Sequence, residues 1–169
     1  FDPILDLMYD YCDAMELDVD TLIHESGAAQ LEVNFTHADA LSRADQVFFF
    51  KRTMRETALR HNVFATFMSR PMAKEPGSSM HIHQSIVRLD DDVNIFSRAD
   101  GSDTDAFMHY IGGLQKYVPL LIALFAPNVN AYRRFTREIS APISLQWGYD
   151  NRTTGFRVPV SDARARRVE

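Results

Sequence analysis

Cysteine, excess basic charge and long apolar runs are all scarce in this sequence, and each shortage excludes a class of protein. Cys12 is the single cysteine, so an intrachain disulfide is excluded and a reducing cytoplasmic location is expected. The 18 basic residues are outnumbered by 23 acidic ones, which argues against a nucleic-acid or membrane-surface binder. The longest apolar run, VPLLIALFA at 118–126, is too short to span a bilayer.

The remaining composition is that of a folded protein. The 169 residues are 46% hydrophobic and 24% charged, enough for one domain with a sizeable core. The chain begins at Phe1 inside a helix-like pattern and stops at RARRVE without a helix cap or polar tail. We therefore expect residues 1–169 to be part of a single domain and a fragment of a longer protein.

The hydrophobic pattern predicts long helices separated by strands. Helices are expected at about 3–17 and 38–61, and a third opens in SDTDAF and runs to about Phe125 before Pro127. Strands are expected at 30–35, 63–68, 80–89, 93–96, 143–149 and 153–160. The last two flank an Asp150-Asn151 turn as a hairpin-like pair. The prediction is an α+β fold with a mixed or antiparallel sheet.

Two carboxylates and two histidines are the first candidates for chemistry. Glu25 and Glu32 are separated by a Ser-Gly turn, and they could face one space or simply be exposed. His81 and His83 alternate along a predicted strand, so both project from one face. A carboxylate-rich partner set would favour Mg²⁺ or Mn²⁺, whereas zinc would need a third nitrogen or sulfur ligand. A hydrogen-bonded histidine pair without metal is equally compatible with the spacing.

Arginines are concentrated in the last 40 residues of this acidic chain. Arg157 lies inside the apolar stretch GFRVPV, where an unpaired charge would be costly. Its partner is a bidentate anion such as a phosphate or carboxylate, or a core glutamate, unless the side chain simply reaches a sheet edge. Carboxylates, histidines and arginines together suit a site for divalent metal and polyphosphate, the parts that phosphoryl transfer needs. No GxxxxGK[ST] motif is present, so a P-loop is excluded.

Several ordered segments resemble the catalytic domain of glutamine synthetases. They are HESGAAQLEV, ATFMSRPMAKEPGSSMHIHQS, NVNAYRRF, SAPISLQWGYDNRTTGFRVPV and RARRVE, and the likeness extends from about residue 20 to residue 169. The resemblance implies a curved, mainly antiparallel sheet flanked by long helices. It also implies ATP-dependent phosphorylation of the glutamate side-chain carboxylate, followed by attack of an amine on the acyl phosphate. The family assembles as homo-oligomeric double rings.

The resemblance also implies a role for each matching residue. Glu25 and Glu32 match ligands of one Mg²⁺ or Mn²⁺ ion, and His81 and Glu169 match ligands of a second ion beside the nucleotide. The remaining matches are His83, Ser85 and Arg167 at the nucleotide, Arg152 and Arg157 on the phosphates, and Gly77 and Arg134 on glutamate.

Three departures from the family pattern point to a different amine. Ser140 replaces a glutamate that binds and deprotonates ammonium in glutamine synthetase proper, and Glu138 is two residues away. Pro76 replaces an asparagine of the glutamate-binding loop, and Ser79 replaces a glycine. SAPISLQWGYDNRT resembles the γ-glutamylputrescine synthetases, so a polyamine or other alkyl amine is expected as the second substrate.

Three alternatives remain open beside that expectation. The protein could make glutamine despite Ser140. It could be a non-catalytic relative, since the resemblance implies upstream metal-binding glutamates, a small N-terminal domain and an arginine after Glu169 that these residues lack. We accordingly expect the isolated 169 residues to be inactive. A zinc hydrolase using His81 and His83 is the most distant alternative.

Overall fold

The computed structural model of the chain describes residues 2–136 and 141–169. Four helices are present in these ranges: α1 (Asp2–Ala14), α2 (Ala40–Arg60), α3 (Asp105–Phe125) and the short α4 (Val129–Tyr132). The strands are β1 (Val19–His24), β2 (Leu31–Phe35), β3 (Trp147–Tyr149) and β4 (Phe156–Val158). No helix in the described ranges is long and apolar enough to cross a membrane.

The chain divides into two compact units, Phe1–Pro76 and Gly77–Glu169. In the first, β1 and β2 form an antiparallel pair, and α1 packs on α2. Its core contains Met8 and Cys12 of α1, Leu17, and Phe50 of α2. Phe50 makes edge contacts with Phe35 of β2 at 5.2 Å between ring centroids. These contacts bring both helices and the hairpin to one core.

The second unit is organised around α3. Phe107 and Ile111 of this helix are fully buried against Phe96, Phe156, Val158 and Val168. Thr104 caps the N-terminus of α3 by accepting a hydrogen bond from the Phe107 amide at 3.2 Å. β4 alternates buried, half-buried, buried along Phe156–Val158, so Arg157 projects away from this core.

The α+β class and the three long helices are confirmed, but several predicted strands are not. Residues 63–68 form no strand; Phe67 packs on Phe50, and Lys51 and Arg55 lie over its ring. Residues 80–89 and 93–96 contribute only isolated bridges, Gln84 with Val168 and Val87 with Asn94. Most apolar residues of these segments are exposed, including Phe64 at 88%, whereas Phe96 is fully buried in the core of the second unit.

The last two strands are present but shorter than predicted, and their pairing differs. β3 and β4 run parallel, with Gly148 opposite Arg157, so the predicted hairpin is wrong. Within the described residues the strands form two two-stranded sheets, one antiparallel and one parallel. Gly155 is required at this junction, because a Cβ there would lie 1.9 Å from the Ser144 carbonyl oxygen. β1, which the sequence did not predict, has a mixed polar composition with no clean alternation.

Candidate active site

Backbone pairing in the second unit brings three distant segments side by side. Gln84 and Val168 exchange hydrogen bonds of 2.8 and 3.1 Å, and the next residue, Glu169, exchanges bonds of 3.0 and 2.9 Å with Arg157. Arg157 in turn lies opposite Gly148 of β3. Residues facing each other across such rungs share one face of the sheet. His83, Glu169 and Arg157 therefore become neighbours. Arg167 joins the same cluster by contacting His83, from which it is separated by 84 positions in the sequence.

The Glu169 carboxylate is the centre of the cluster. Its Oε2 lies 3.0 Å from His83 Nε2 and 3.8 Å from His81 Nδ1, and its Oε1 lies 2.8 Å from Arg157 Nη1. Only 10% of this side chain is exposed. The hydrogen bond from His83, together with the nearby positive groups, lowers the pKa of Glu169 to about 2 although burial opposes the shift. Glu169 is thus held as an anion.

The partner of the second His83 nitrogen fixes the position of the ring proton. Arg167 Nε donates to His83 Nδ1 at 3.2 Å. Because a guanidinium can only donate, Nδ1 must be the unprotonated nitrogen, and the proton lies on Nε2. Nε2 therefore donates to Glu169. Arg167, His83 and Glu169 form a continuous hydrogen-bonded chain along this face.

His81 has a different pair of contacts. Its Nε2 lies 3.2 Å from the Ser79 hydroxyl, while its Nδ1 faces Glu169. The Nδ1 and Oε2 atoms are 3.8 Å apart, which is longer than the roughly 3 Å expected for neighbouring ligands of a small divalent ion. The two side chains would therefore have to approach each other to hold one Mg²⁺ ion together.

Arg157 has two carboxylate partners in this structure. Besides Glu169, its Nη2 and Nε reach Asp150 Oδ1 at 2.9 and 3.3 Å. The sequence left open whether this arginine binds an anionic ligand or a core glutamate. The structure shows a contact with a largely buried glutamate, Glu169. Asp150 was not among the predicted site residues. It follows β3 in a turn with φ 44°, and its sequence neighbours give no signal that it reaches β4.

Two further arginines of the predicted site differ in environment. Arg152 is exposed, in the turn between β3 and β4. Arg134, just after α4, is half-buried, and its Nε has no hydrogen-bond partner in the described part of the chain. Burial lowers the pKa of the Arg134 guanidinium from its ordinary value. A half-buried guanidinium with an unused N–H is suited to receive an anion.

The remaining predicted residues of this unit are Gly77, which is half-buried, and Ser85, which is exposed one position after Gln84. Ser140 and Glu138 lie outside the described residues.

Glu25 and Glu32 lie on the hairpin of the first unit. Ile23 is the partner of Glu32, and the Glu25 amide donates to the Gln30 carbonyl at 3.0 Å. Residues opposite each other in an antiparallel pair share a face, and so do residues two positions apart on one strand. Glu25 is two positions after Ile23, so both carboxylates lie on the same face. The turn between them is tight: a Cβ at Gly27 would lie 2.4 Å from Gln30 Oε1. Glu25 is exposed and Glu32 is half-buried, and their role as metal ligands stays a prediction.

No three histidine, cysteine, aspartate or glutamate side chains in residues 2–136 and 141–169 are grouped to hold an ion by themselves. Each candidate metal position therefore offers a pair of protein ligands. Two carboxylates suit Mg²⁺ or Mn²⁺ bound together with phosphate and water. A structural zinc site, which needs four protein ligands, finds no such set in these residues.

Comparison with known proteins gives a family over the whole chain. Residues 1–169 match the family described as glutamine synthetase, catalytic domain. A glutamine synthetase of Thermococcus kodakarensis is 38% identical over 159 residues, which are 94% of this chain and 35% of that protein. The gamma-glutamylputrescine synthetase PuuA of Escherichia coli is 36% identical over 154 residues, 90% of this chain and 32% of PuuA. The chain thus spans about a third of the length of these relatives.

A solved structure has the same fold. The structure described as "Apo GmaS without ligand" superposes with a TM-score of 0.83 at 29% identity, covering 98% of this chain and 38% of that one. The predicted fold type is therefore confirmed.

Proposed function

This chain belongs to the glutamine synthetase catalytic-domain family, and on that premise we propose that its parent protein is an ATP-dependent carbon–nitrogen ligase. The reaction would phosphorylate the side-chain carboxylate of glutamate and join the resulting acyl phosphate to an amine. The observation that carries the proposal is the Glu169 cluster, which holds a carboxylate, two imidazoles and two arginines on one face.

The proposed metal pairs are His81 with Glu169, and Glu25 with Glu32. A divalent ion bound with phosphate would neutralise the charge that accumulates on phosphoryl oxygens. Glu169 is suited to its part because its carboxylate stays ionised well below neutral pH. Ser79 supports the other ligand, since its hydroxyl lies 3.2 Å from the far nitrogen of His81. Such support orients a ligating imidazole.

Binding of ATP and glutamate is assigned to residues of the second unit. His83, Ser85 and Arg167 are proposed for the nucleotide, and Arg152 and Arg157 for the phosphates. Arg157 already has two carboxylate partners, so we propose that it acts on phosphate while still bonded to Glu169. Arg134 is proposed to bind a glutamate carboxylate through its Nε–H, which has no hydrogen-bond partner among residues 2–136 and 141–169. The Gly77 carbonyl is proposed to hold the glutamate amino group.

A polyamine or other alkyl amine is the proposed second substrate. The support is in the sequence: Ser140 has no carboxylate with which to bind and deprotonate ammonium, and Pro76 alters the glutamate-binding loop. The relatives include enzymes of both kinds, one named for glutamine and one for γ-glutamylputrescine. Ammonia is therefore the second candidate substrate. We further propose a homo-oligomeric assembly of the parent protein in the cytoplasm.

An amine panel on the full-length protein that carries this chain tests the proposal. Phosphate release from ATP is measured with glutamate and Mg²⁺ or Mn²⁺, with ammonia, methylamine or putrescine as the amine. We expect kcat/KM for an alkyl amine to exceed that for ammonia at least tenfold, and Glu169→Gln to lower activity at least 100-fold with every amine.

The two parts of the proposal fail separately. Saturation by ammonia at low concentration without turnover of alkyl amines would overturn the amine assignment and leave the ligase in place. Absence of glutamate-dependent phosphate release with any amine would overturn the ligase assignment.

A further inference from the structure

We infer that Asn94 is a positioning residue of this site: its side-chain amide holds the segment that presents Arg167 and Glu169 to His83. This inference rests on the proposed function only in taking the Glu169 cluster to bind metal and nucleotide. The placement itself rests on contacts within the second unit. Nothing in the motifs singled out above includes Asn94.

Asn94 uses every hydrogen-bonding group of its side chain while being only 5% exposed. Its Nδ2 donates to the Arg164 carbonyl at 3.0 Å and to the Arg166 carbonyl at 2.7 Å. Its Oδ1 accepts from the Phe96 amide at 2.9 Å, which forms a local turn. A buried amide whose two donors both go to one distant segment fixes that segment in a single position, because any shift leaves polar groups unpaired.

The bonds of Asn94 are at the start of the functional segment. Arg167 follows directly after the two residues whose carbonyls Asn94 holds, and it donates to His83. Glu169 comes two positions later and bonds to His83 and Arg157. Arg167 and Glu169 are two positions apart and therefore lie on one face. A slip of one residue would turn both away from His83. Asn94 thus supports, from the preceding residues, the register that the backbone bonds of Val168 and Glu169 also hold.

Neighbouring contacts support the same anchoring but are weaker. Ser97 donates to the Ala163 carbonyl, and Arg166 Nη2 donates to the Gly101 carbonyl at 2.9 Å. Arg166 Nε and Asp103 Oδ1 are 3.4 Å apart and buried, yet neither makes an aligned hydrogen bond there. The ion pair is consequently a poor register-setting contact. The Asn94 amide is the better-formed connection between the two segments.

The test uses two substitutions that keep the local turn and remove the two donated bonds. Asn94→Asp is isosteric and keeps an acceptor for the Phe96 amide, but it presents an oxygen to both carbonyls. Asn94→Ser also keeps an acceptor and is too short to reach Arg164 and Arg166, so it tests the same bonds without adding a charge. The matched controls are Asn128→Asp and Asn128→Ser. Asn128 caps α4 by accepting from the Ala131 amide, and aspartate and serine are equally good caps.

Amide hydrogen exchange of the full-length protein that carries this chain is the first readout. The Val168 and Glu169 amides, which donate to Gln84 and Arg157, are expected to exchange roughly 10- to 100-fold faster in both Asn94 variants, the effect of one or two lost hydrogen bonds. Amides in the middle of α3 should keep their wild-type rates, as should all of these amides in the Asn128 variants. Unchanged exchange at Val168 and Glu169, or equal acceleration throughout the unit, would overturn the inference.

Affinity for Mn²⁺, followed by paramagnetic broadening of the His81 resonances, is the second readout. Both Asn94 variants should bind Mn²⁺ about tenfold more weakly than wild type, as expected for loss of a group that orients a ligand, and the Asn128 variants should not. Equal Mn²⁺ affinity in wild type and Asn94 variants would also overturn the inference. If the full-length wild-type protein itself shows no broadening, the proposed metal ligands are wrong, and hydrogen exchange still decides whether Asn94 positions the segment.

Discussion

Among single residues, Glu169 is the one on which the greatest number of site contacts converge. His83, His81 and Arg157 all approach its two carboxylate oxygens, and Asp150 shares Arg157 with it. The Arg157 guanidinium and the hydrogen bond from His83 compensate the burial of this anion, which would otherwise be unfavourable. Removing the charge of Glu169 therefore leaves both donors without an acceptor of equal strength.

The low pKa of Glu169 predicts an acid-dependent loss of stability. A carboxyl with a pKa of about 2 in the folded chain, against an ordinary value of 4.5, stabilises the fold fully above pH 4.5, and this contribution is lost as the pH falls to 2. Because solvent screens the contacts with the half-exposed imidazoles, Glu169→Gln should lower the free energy of unfolding by about 1–2 kcal/mol at pH 7 and by much less near pH 2. Urea denaturation at a series of pH values measures this. A constant difference between wild type and variant over that pH range would contradict the prediction.

Among the elements, α2 begins and ends with clear signals that its sequence carries. Asp39 precedes the helix and accepts hydrogen bonds from the Leu41 and Ser42 amides, both at 3.1 Å. Such a cap satisfies amides that have no partner within the helix. The C-terminus reaches His61, whose amide bonds back to Ala58. The predicted range, 38–61, accordingly agrees with the observed helix within two residues at each end.

Replacement of the α2 cap should be measurably destabilising. Asp39→Ala removes the acceptor for two amides and is expected to cost about 1 kcal/mol of the free energy of unfolding. Asp45→Ala, the same substitution at an exposed position of this helix, should change it by less than about 0.5 kcal/mol. Thermal or urea unfolding of the two variants compares them directly. Equal losses would show that the cap is not what Asp39 contributes.

On the scale of the whole molecule, apolar residues are divided between two buried clusters and an extensive exposed set. The core around Phe96 and Phe107 belongs to the second unit, and the core around Met8 and Phe50 belongs to the first. Other large apolar side chains are exposed, including Leu120 and Leu124 on α3 at 78% and 74%. Sequence hydrophobicity therefore does not by itself identify the core positions.

Two phenylalanines on α3, one buried and one exposed, allow the effect of burial on stability to be measured at constant residue type. Phe107 is fully buried and packs on Phe96 at 4.7 Å between ring centroids, whereas Phe125 at the other end of the helix is 56% exposed. Phe107→Ala should cost about 3–5 kcal/mol, because it leaves a cavity in the core. Phe125→Ala should cost less than about 1 kcal/mol. Chemical denaturation monitored by circular dichroism measures both, and similar costs would mean that the assigned core is wrong.

The sequence by itself determined the family, the α+β class and the long helices. These features depend on local patterns: helical spacing of apolar residues, capping aspartate and threonine, and ordered motifs such as GSSMHIHQS and GFRVPV. It left open whether Glu25 and Glu32 face one space, and the β1–β2 register places them on one face of that hairpin. The roles assigned to individual site residues remain predictions.

Only the tertiary structure decided which distant residues meet. The contacts of Glu169 with His83 and Arg157, the parallel pairing of β3 and β4, and the hold of Asn94 on Arg164 and Arg166 join segments separated by many residues. Periodicity reports which face of an element is buried, but not which other segment supplies its hydrogen bonds. For that reason the strands predicted at 63–68 and 80–89 did not form, while Asp150 and Asn94 gained roles that no local pattern indicates.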